Sequence, residues 1–163
     1  IIESKNTTNS VETSRIVNAV KGYAMFLNLA EFKDIGFFDE NFFFFLEEVD
    51  LCARLRKKNK NIYFSPTIKV YHEGGGSHDD SFAYQMELSR NWHWMWSTFY
   101  YNKKYKGFFI SLLIIFPKLI SAILKILLYS LISNKYKRKV YYHRFSGLFN
   151  AIIGKSSWYR PKV

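Results

Sequence analysis

The chain has 163 residues, 48% of them hydrophobic, enough to build one domain of ordinary size around a buried core, which excludes disorder for the bulk of it. Its 24 lysines and arginines against 13 acids give a formal charge of +11. All 13 acids lie in residues 1–87, whereas residues 88–163 carry 14 bases and no acid, which excludes a uniformly basic protein.

The cationic, aromatic-rich rear half faces something negative: a membrane surface, a phosphate-rich ligand or nucleic acid. Residues 1–15 are polar and read as a loop; with no initiator Met and no signal-peptide pattern, the chain reads as a fragment. Residues 20–28, VKGYAMFLN, form a short strand-like run entered through Gly22. A brief helical turn over 30–36 stops at Gly36, and an aromatic-rich loop, FFDENFFFF, follows. Residues 46–59 predict a helix, with acids in its first turn and bases in its last, as the helix dipole favours. Within it, Cys52 is the single cysteine, which excludes an internal disulfide framework and fits a reducing compartment.

Residues 61–73 alternate around Pro66 and read as two short strands or one bent one. The flexible loop GGGSHDD comes next, with Asp79, Asp80 or Ser81 placed to cap a helix over 82–101. Beyond Gly107, residues 108–132 are almost wholly apolar apart from Lys118, Lys125 and a few serines, and basic runs at 103–106 and 135–139 bracket them. A second short amphipathic helix ends near Gly154; it either shares the membrane surface or packs on the domain.

Two clusters carry candidate chemistry. Glu47, Glu48 and Asp50 sit at a helix start beside the Phe42–Phe45 run. Partial desolvation there raises a carboxylate's pKa and suits it to general-base work; equally, the acids complement the dipole and Asp50 pairs with Arg54 at i,i+4. His72 ends a strand-like run just before Gly74, Gly75, Gly76 and Ser77. An imidazole there suits a divalent metal and the glycines suit phosphate oxygens, while the plainer alternative is a half-buried histidine before a turn. His93 and His143 sit among aromatics and bases without ligand spacing. No Walker A, dinucleotide fingerprint, zinc pattern or nucleophile elbow is present.

Taken together, Gly22, the turn Ile35-Gly36-Phe37-Phe38-Asp39-Glu40, the helix start Glu47-Glu48-Val49-Asp50-Leu51 with Arg54, the loop His72 with Gly74 to Ser77, and Arg90-Asn91 form an ordered set. Over residues 16–106 this set resembles the second half of the catalytic domain of bacterial family 2 glycosyltransferases, particularly rhamnosyltransferase-like enzymes of surface-polysaccharide assembly. The resemblance implies an α/β fold: the C-terminal half of a GT-A, Rossmann-like domain over residues 1–106, followed by amphipathic membrane-associated helices over 107–163. It implies an inverting transferase that moves a sugar from a nucleotide sugar to a lipid-linked or polysaccharide acceptor. Glu48 would be the base, and Glu47 and Asp50 would orient the acceptor or support the helix start. His72 would complete the coordination of Mg²⁺ or Mn²⁺, the Gly74, Gly75, Gly76 and Ser77 loop would close over the diphosphate, and Arg90 with Asn91 would add to the substrate site.

Two departures follow. Family members more often carry Asp at the Glu48 position. The family's nucleotide-binding half with its D-x-D has no counterpart here, which implies a fragment, the product of an interrupted reading frame or one half of a split enzyme with a separate N-terminal half, or, alternatively, a non-catalytic membrane-binding remnant.

For residues 108–132, helical spacing sets Ser111, Lys118, Ala122, Lys125 and Tyr129 on one narrow side and Phe109, Leu113, Phe116, Ile120, Leu124, Leu127 and Leu131 opposite. The reading is an amphipathic helix or hairpin in the membrane interface, broken near Pro117, with lysines reaching anionic headgroups. A spanning helix and a buried core helix are the alternatives. The expected location is peripheral, on the cytoplasmic face of the bacterial inner membrane. Nucleic acid is disfavoured as the partner, because a groove would not accommodate the apolar run that the bases bracket.

Overall fold

The structure is a computed structural model that describes residues 13–72 and 79–161. Four helices dominate it: α1 (Glu47–Lys57), α2 (Ala83–Lys106), α3 (Phe108–Leu131) and α4 (Lys135–Ile152). Two-residue strands, β1 (Arg15–Ile16) and β2 (Tyr63–Phe64), pair antiparallel, with Arg15 opposite Phe64 and Ile16 opposite Tyr63.

Local chemistry explains where the helices begin and end. Acids occupy the first turn of α1 and Arg54, Arg56 and Lys57 its last, matching the macrodipole. The Asp79 carboxylate accepts from Ser81 N at 2.8 Å and caps a short 3-10 turn, Asp80–Phe82, that feeds α2. Gly107 joins α2 to α3 in a single residue at φ 83° and ψ 170°, a conformation that a side chain would disfavour strongly. Asn134 Oδ1 accepts from Lys137 N at 3.0 Å and starts α4 after a tight turn.

The core belongs to α2, α3 and α4. Trp92, Met95, Trp96 and Phe99 of α2 meet Ile115 of α3 and Leu148 and Ala151 of α4. Gly147 lets α4 approach the backbone of α2 at Trp92. The chain after α4 folds back onto α2: Trp96 Nε1 donates to Lys155 O at 2.9 Å, and the fully buried His93 lies 2.9 Å from Ser157 Oγ and 2.8 Å from Tyr159 O. The carbonyl of Tyr159 can only accept, so Nε2 carries the proton and Nδ1 accepts from Ser157. His93 is therefore a structural histidine, seated against Phe43, Phe44 and Trp92.

The expected α/β, Rossmann-like half-domain is corrected by this architecture, which is mostly helical with one two-stranded ladder. Residues 20–28 and 68–72 have strand-like composition and form no ladder. A strand exists only by pairing, and among the described residues these segments have no ladder partner. Their apolar side chains stay in solvent: Phe26 is 89% and Tyr71 95% exposed.

A second correction concerns the apolar run. It is one continuous helix through Pro117, not broken there, although Pro117 has no N–H to give to Leu113 O. Its narrow polar side is turned toward the protein, where Ser111 and Ala122 are buried and Lys125 donates to Tyr141 OH of α4 at 3.3 Å. The lysine side is thus not the outward side. The apolar arc points outward, with Phe109, Leu113 and Leu131 each at least 75% exposed and only 17% of the helix's apolar stretch buried. Within this chain the helix is not a buried core helix. The helix is long and apolar enough to cross a membrane.

Candidate functional site

One stripe of α2 organises the front half. Its residues at helical spacing meet the segment 39–50. His93 and Trp94 pack on Phe43 and Phe45, Ser97 Oγ donates to Phe44 O at 2.7 Å, Tyr100 meets Phe42, and Lys104 and Tyr105 reach Asp50. The Phe run is thereby held rigid, and the chain leaves it through two consecutive left-handed residues, Phe45 at φ 67° and Leu46 at φ 69°. For bulky side chains such angles are strained by roughly 1 kcal/mol or more each, and strain of this kind collects at functional sites. This turn aims the first residues of α1.

Asp50, fully buried, accepts from Arg54 Nε at 2.8 Å, Lys104 Nζ at 2.7 Å and Tyr105 OH at 2.8 Å. Lys104 bridges to Asp39 at 2.7 Å, and Asp39 also accepts from Tyr100 OH and Asn41. Burial alone would push the Asp39 carboxyl up, but these bonds, that from Lys104 foremost, outweigh it and hold it at about 2. Burial and the bond to Asp50 push the Tyr105 hydroxyl up. Arg54 also donates to the carbonyls of Ile35, Gly36 and Phe37, fastening the FFDE turn to α1. All of Asp50's described partners serve the fold, which fits support of the helix start better than contact with an acceptor.

Glu47 and Glu48 are half-buried beside this hub. Glu47 Oε2 is buried with no hydrogen-bond partner, and desolvation, reinforced by the charge of Glu48, raises its pKa. Glu48 stands against Gly22, where an added Cβ would meet its own Cβ at 3.5 Å. The next residue, Tyr23, stacks on His72 with ring centroids 5.0 Å apart and planes 5° from parallel. Glu48 and His72, far apart in sequence, thus border the same Gly22-Tyr23 turn.

The other expected site residues are not gathered there. Asn91 gives its side-chain amide to Glu87 O at 2.9 Å within α2, and Arg90 is half-buried a turn before the stripe that grips the Phe run. Gly74, Gly75, Gly76 and Ser77 lie outside the described residues. Among the described residues no group of three His, Cys, Asp or Glu side chains is arranged to hold a metal ion. A hard cation such as Mg²⁺ wants about six ligands, mostly oxygens, and His72 offers one nitrogen, so the described residues do not build a divalent-cation site around it.

The pairing of Lys104 with both Asp39 and Asp50 was not foreseen from the sequence. Its signal is the placement of Tyr100, Lys104 and Tyr105 on one side of a helix. Chemically, the arrangement offers two adjacent carboxylates at a strained helix start, one desolvated and free to take a proton, beside a turn that a histidine covers.

Compared with curated proteins, the chain is similar to rhamnosyltransferase WbbL of Escherichia coli (strain K12), 27% identical over 101 residues, covering 62% of this chain and 36% of that protein. The chain thus spans about a third of that relative's length. No family model and no solved structure matches. The similarity supports a glycosyltransferase-like relationship.

Proposed function

We propose that the chain supplies the acceptor side of an inverting glycosyl transfer from a nucleotide sugar to a lipid-linked or polysaccharide acceptor, with Glu48 as base. The observation that carries this reading is the pair Glu47-Glu48 at the strained start of α1, joined to the similarity to a rhamnosyltransferase. In the step proposed, the acceptor O–H proton passes to the carboxylate as its oxygen attacks the anomeric carbon. The bond from that carbon to the leaving diphosphate breaks on the opposite face, and the electron pair leaves with the diphosphate. Glu48 is preferred because it stands against Gly22 next to the His72 stack, whereas Asp50 is committed to Arg54, Lys104 and Tyr105.

A second reading exchanges the two glutamates. Glu47 has the unpartnered oxygen and, through burial, the raised pKa that make it the stronger proton acceptor. Donor binding is assigned to a separate N-terminal half, and no step is routed through a cation. Residues 1–106 are read as the acceptor side and 107–163 as the membrane-facing part, with α2 shared between them.

The exposed arc of α3 supports contact with a membrane, and the reading sets it peripherally on the cytoplasmic face of a bacterial inner membrane. If α3 spanned the bilayer, Lys118, Lys125 and, beside them on α4, Arg144 would lie at membrane depth, at a cost of roughly 3 kcal/mol each. An interfacial position leaves those bases in water or among headgroups.

The test is sugar transfer by the chain combined with its donor-binding half. Glu48→Gln should lower kcat by about 10³-fold or more with donor affinity unchanged, while Glu47→Gln retains turnover. The opposite pattern would assign the base to Glu47, and full activity in both variants would leave the chain a non-catalytic membrane module.

A further inference from the structure

On the flank of α3, where its polar side meets α4, a cavity of about 240 Å³ is lined by Met95, Lys118, Ser121, Lys125, Tyr141 and Arg144. Lys125 lies 4.8 Å and Arg144 5.6 Å from the Tyr141 ring centroid, so both cations converge on one phenol. Among the described residues none of Lys118, Lys125 and Arg144 has an ion pair. Arg144 Nε is buried without a hydrogen-bond partner, an orphaned donor in a half-enclosed cationic site. Carboxylates do not answer this charge: residues 88–163 contain none, and Glu87 accepts from Tyr136 OH two turns away along α4.

We propose that this cavity binds a phosphate dianion, a monoester or the terminal group of a diphosphate. Arg144 presents a planar fork of donors, Lys118 and Lys125 supply compensating charge, and Ser121 and Tyr141 add hydroxyl donors. Three cations brought together half out of water repel one another, and a dianion turns that repulsion into attraction. The exposed Leu124 and Leu128 follow the lining residue Ser121 at i+3 and i+7 along α3, so a phosphate on a lipid would enter the cavity while its chains lie along that flank of the helix. The inference rests on the interfacial placement of α3 for the source of the phosphate, not for the site itself.

The experiment uses the full chain at about 0.15 M salt, where loose surface attraction is screened. Inorganic pyrophosphate is titrated calorimetrically, and flotation compares vesicles containing phosphatidic acid with phosphatidylglycerol vesicles of matched surface charge. Lys125→Gln/Arg144→Gln should weaken pyrophosphate binding and the preference for phosphatidic acid by about tenfold. Arg144→Lys, which keeps the charge and loses Nε, should fall between, and the exposed pair Lys33→Gln/Lys58→Gln, away from α3 and α4, should leave both unchanged. Pyrophosphate binding without a lipid preference supports the site with a soluble ligand, and the preference supports a lipid one. Absence of both, or losses equal in the two double variants, overturns the proposal. Failure to bind any anionic vesicle would overturn the membrane placement separately, and the pyrophosphate titration then decides the site alone.

Discussion

An alanine Cβ at Gly147 would fall 2.3 Å from the backbone oxygen of Trp92, so the contact between α4 and α2 has room for hydrogen only. Alanine gains about 1 kcal/mol over glycine in a helix interior. Here that gain meets a clash with backbone, which cannot rotate aside, and overpacking costs roughly 1–3 kcal/mol or more. Gly147→Ala should therefore destabilise, lowering the midpoint of thermal unfolding by several degrees. An unchanged or raised midpoint would mean that the two helices do not approach this closely.

Asp50 and Lys104 should prove coupled. Asp50 is fully buried among Arg54, Lys104 and Tyr105, so Asp50→Ala removes the acceptor that all three share and should cost roughly 3 kcal/mol. Lys104 is more exposed, and Lys104→Ala alone should cost about 1–2 kcal/mol, discounted for solvent screening. In the double variant the losses should fall short of additive by about 1 kcal/mol or more in urea denaturation. Strict additivity would deny the contact.

Stability should fall on mild acidification because of His93. Burial, with the Arg160 charge adding to it, holds its imidazole at about 4 against an ordinary 6.5, despite the bond to Tyr159 O that favours the cation. The unfolded chain therefore binds more protons than the folded one between pH 6.5 and 4. The contribution of His93 is complete above 6.5 and is lost as pH falls toward 4, a change on the order of 2 kcal/mol. Asp39, held at about 2 against 3.8, acts in the same direction but only below pH 4. Glu47, raised by burial, opposes the trend above 4.5. His93→Gln should remove most of the slope between pH 6.5 and 4, whereas His143→Gln should remove less; an unaltered slope in the first variant would refute the assignment.

The helices were legible in the sequence to the extent that local chemistry sets them. Charge order put a helix over 46–59, where α1 runs from Glu47 to Lys57, and Asp79 sits where a cap was expected. The pairing of Asp50 with Arg54 was open in the i,i+4 spacing. Strands were misread because Phe26 and Tyr71 carry β-like composition without a partner, and composition cannot report a missing neighbour. Lys104 between Asp39 and Asp50 depends on how α2 lies across residues 39–50, a tertiary fact. The left-handed pair Phe45-Leu46 has no glycine or asparagine to announce it. Periodicity gave the two sides of α3 correctly but not which one faces the protein, because here the usual rule is inverted: the polar side packs on the protein and the apolar arc points outward.

That inversion gives the last prediction. The outward arc of α3 includes Leu113 at 75% and Leu124 at 59% exposed, and its neighbour α4 carries the basic run Lys135 to Lys139. Burying two leucines in the acyl boundary is worth roughly 3–5 kcal/mol, and each near-surface base about 1 kcal/mol more when the lipid is anionic. Leu113→Ser/Leu124→Ser should therefore lower vesicle binding by about 100-fold or more while leaving the fold intact, because neither side chain enters the core. Binding by the unaltered chain should require anionic lipid and weaken between about 0.05 and 0.5 M salt, since surface charge is screened over a few ångströms at the upper value. Retention insensitive to salt and lipid charge, with extraction only by detergent, would instead mean that α3 spans the bilayer and that the bases of α4 have found partners within it.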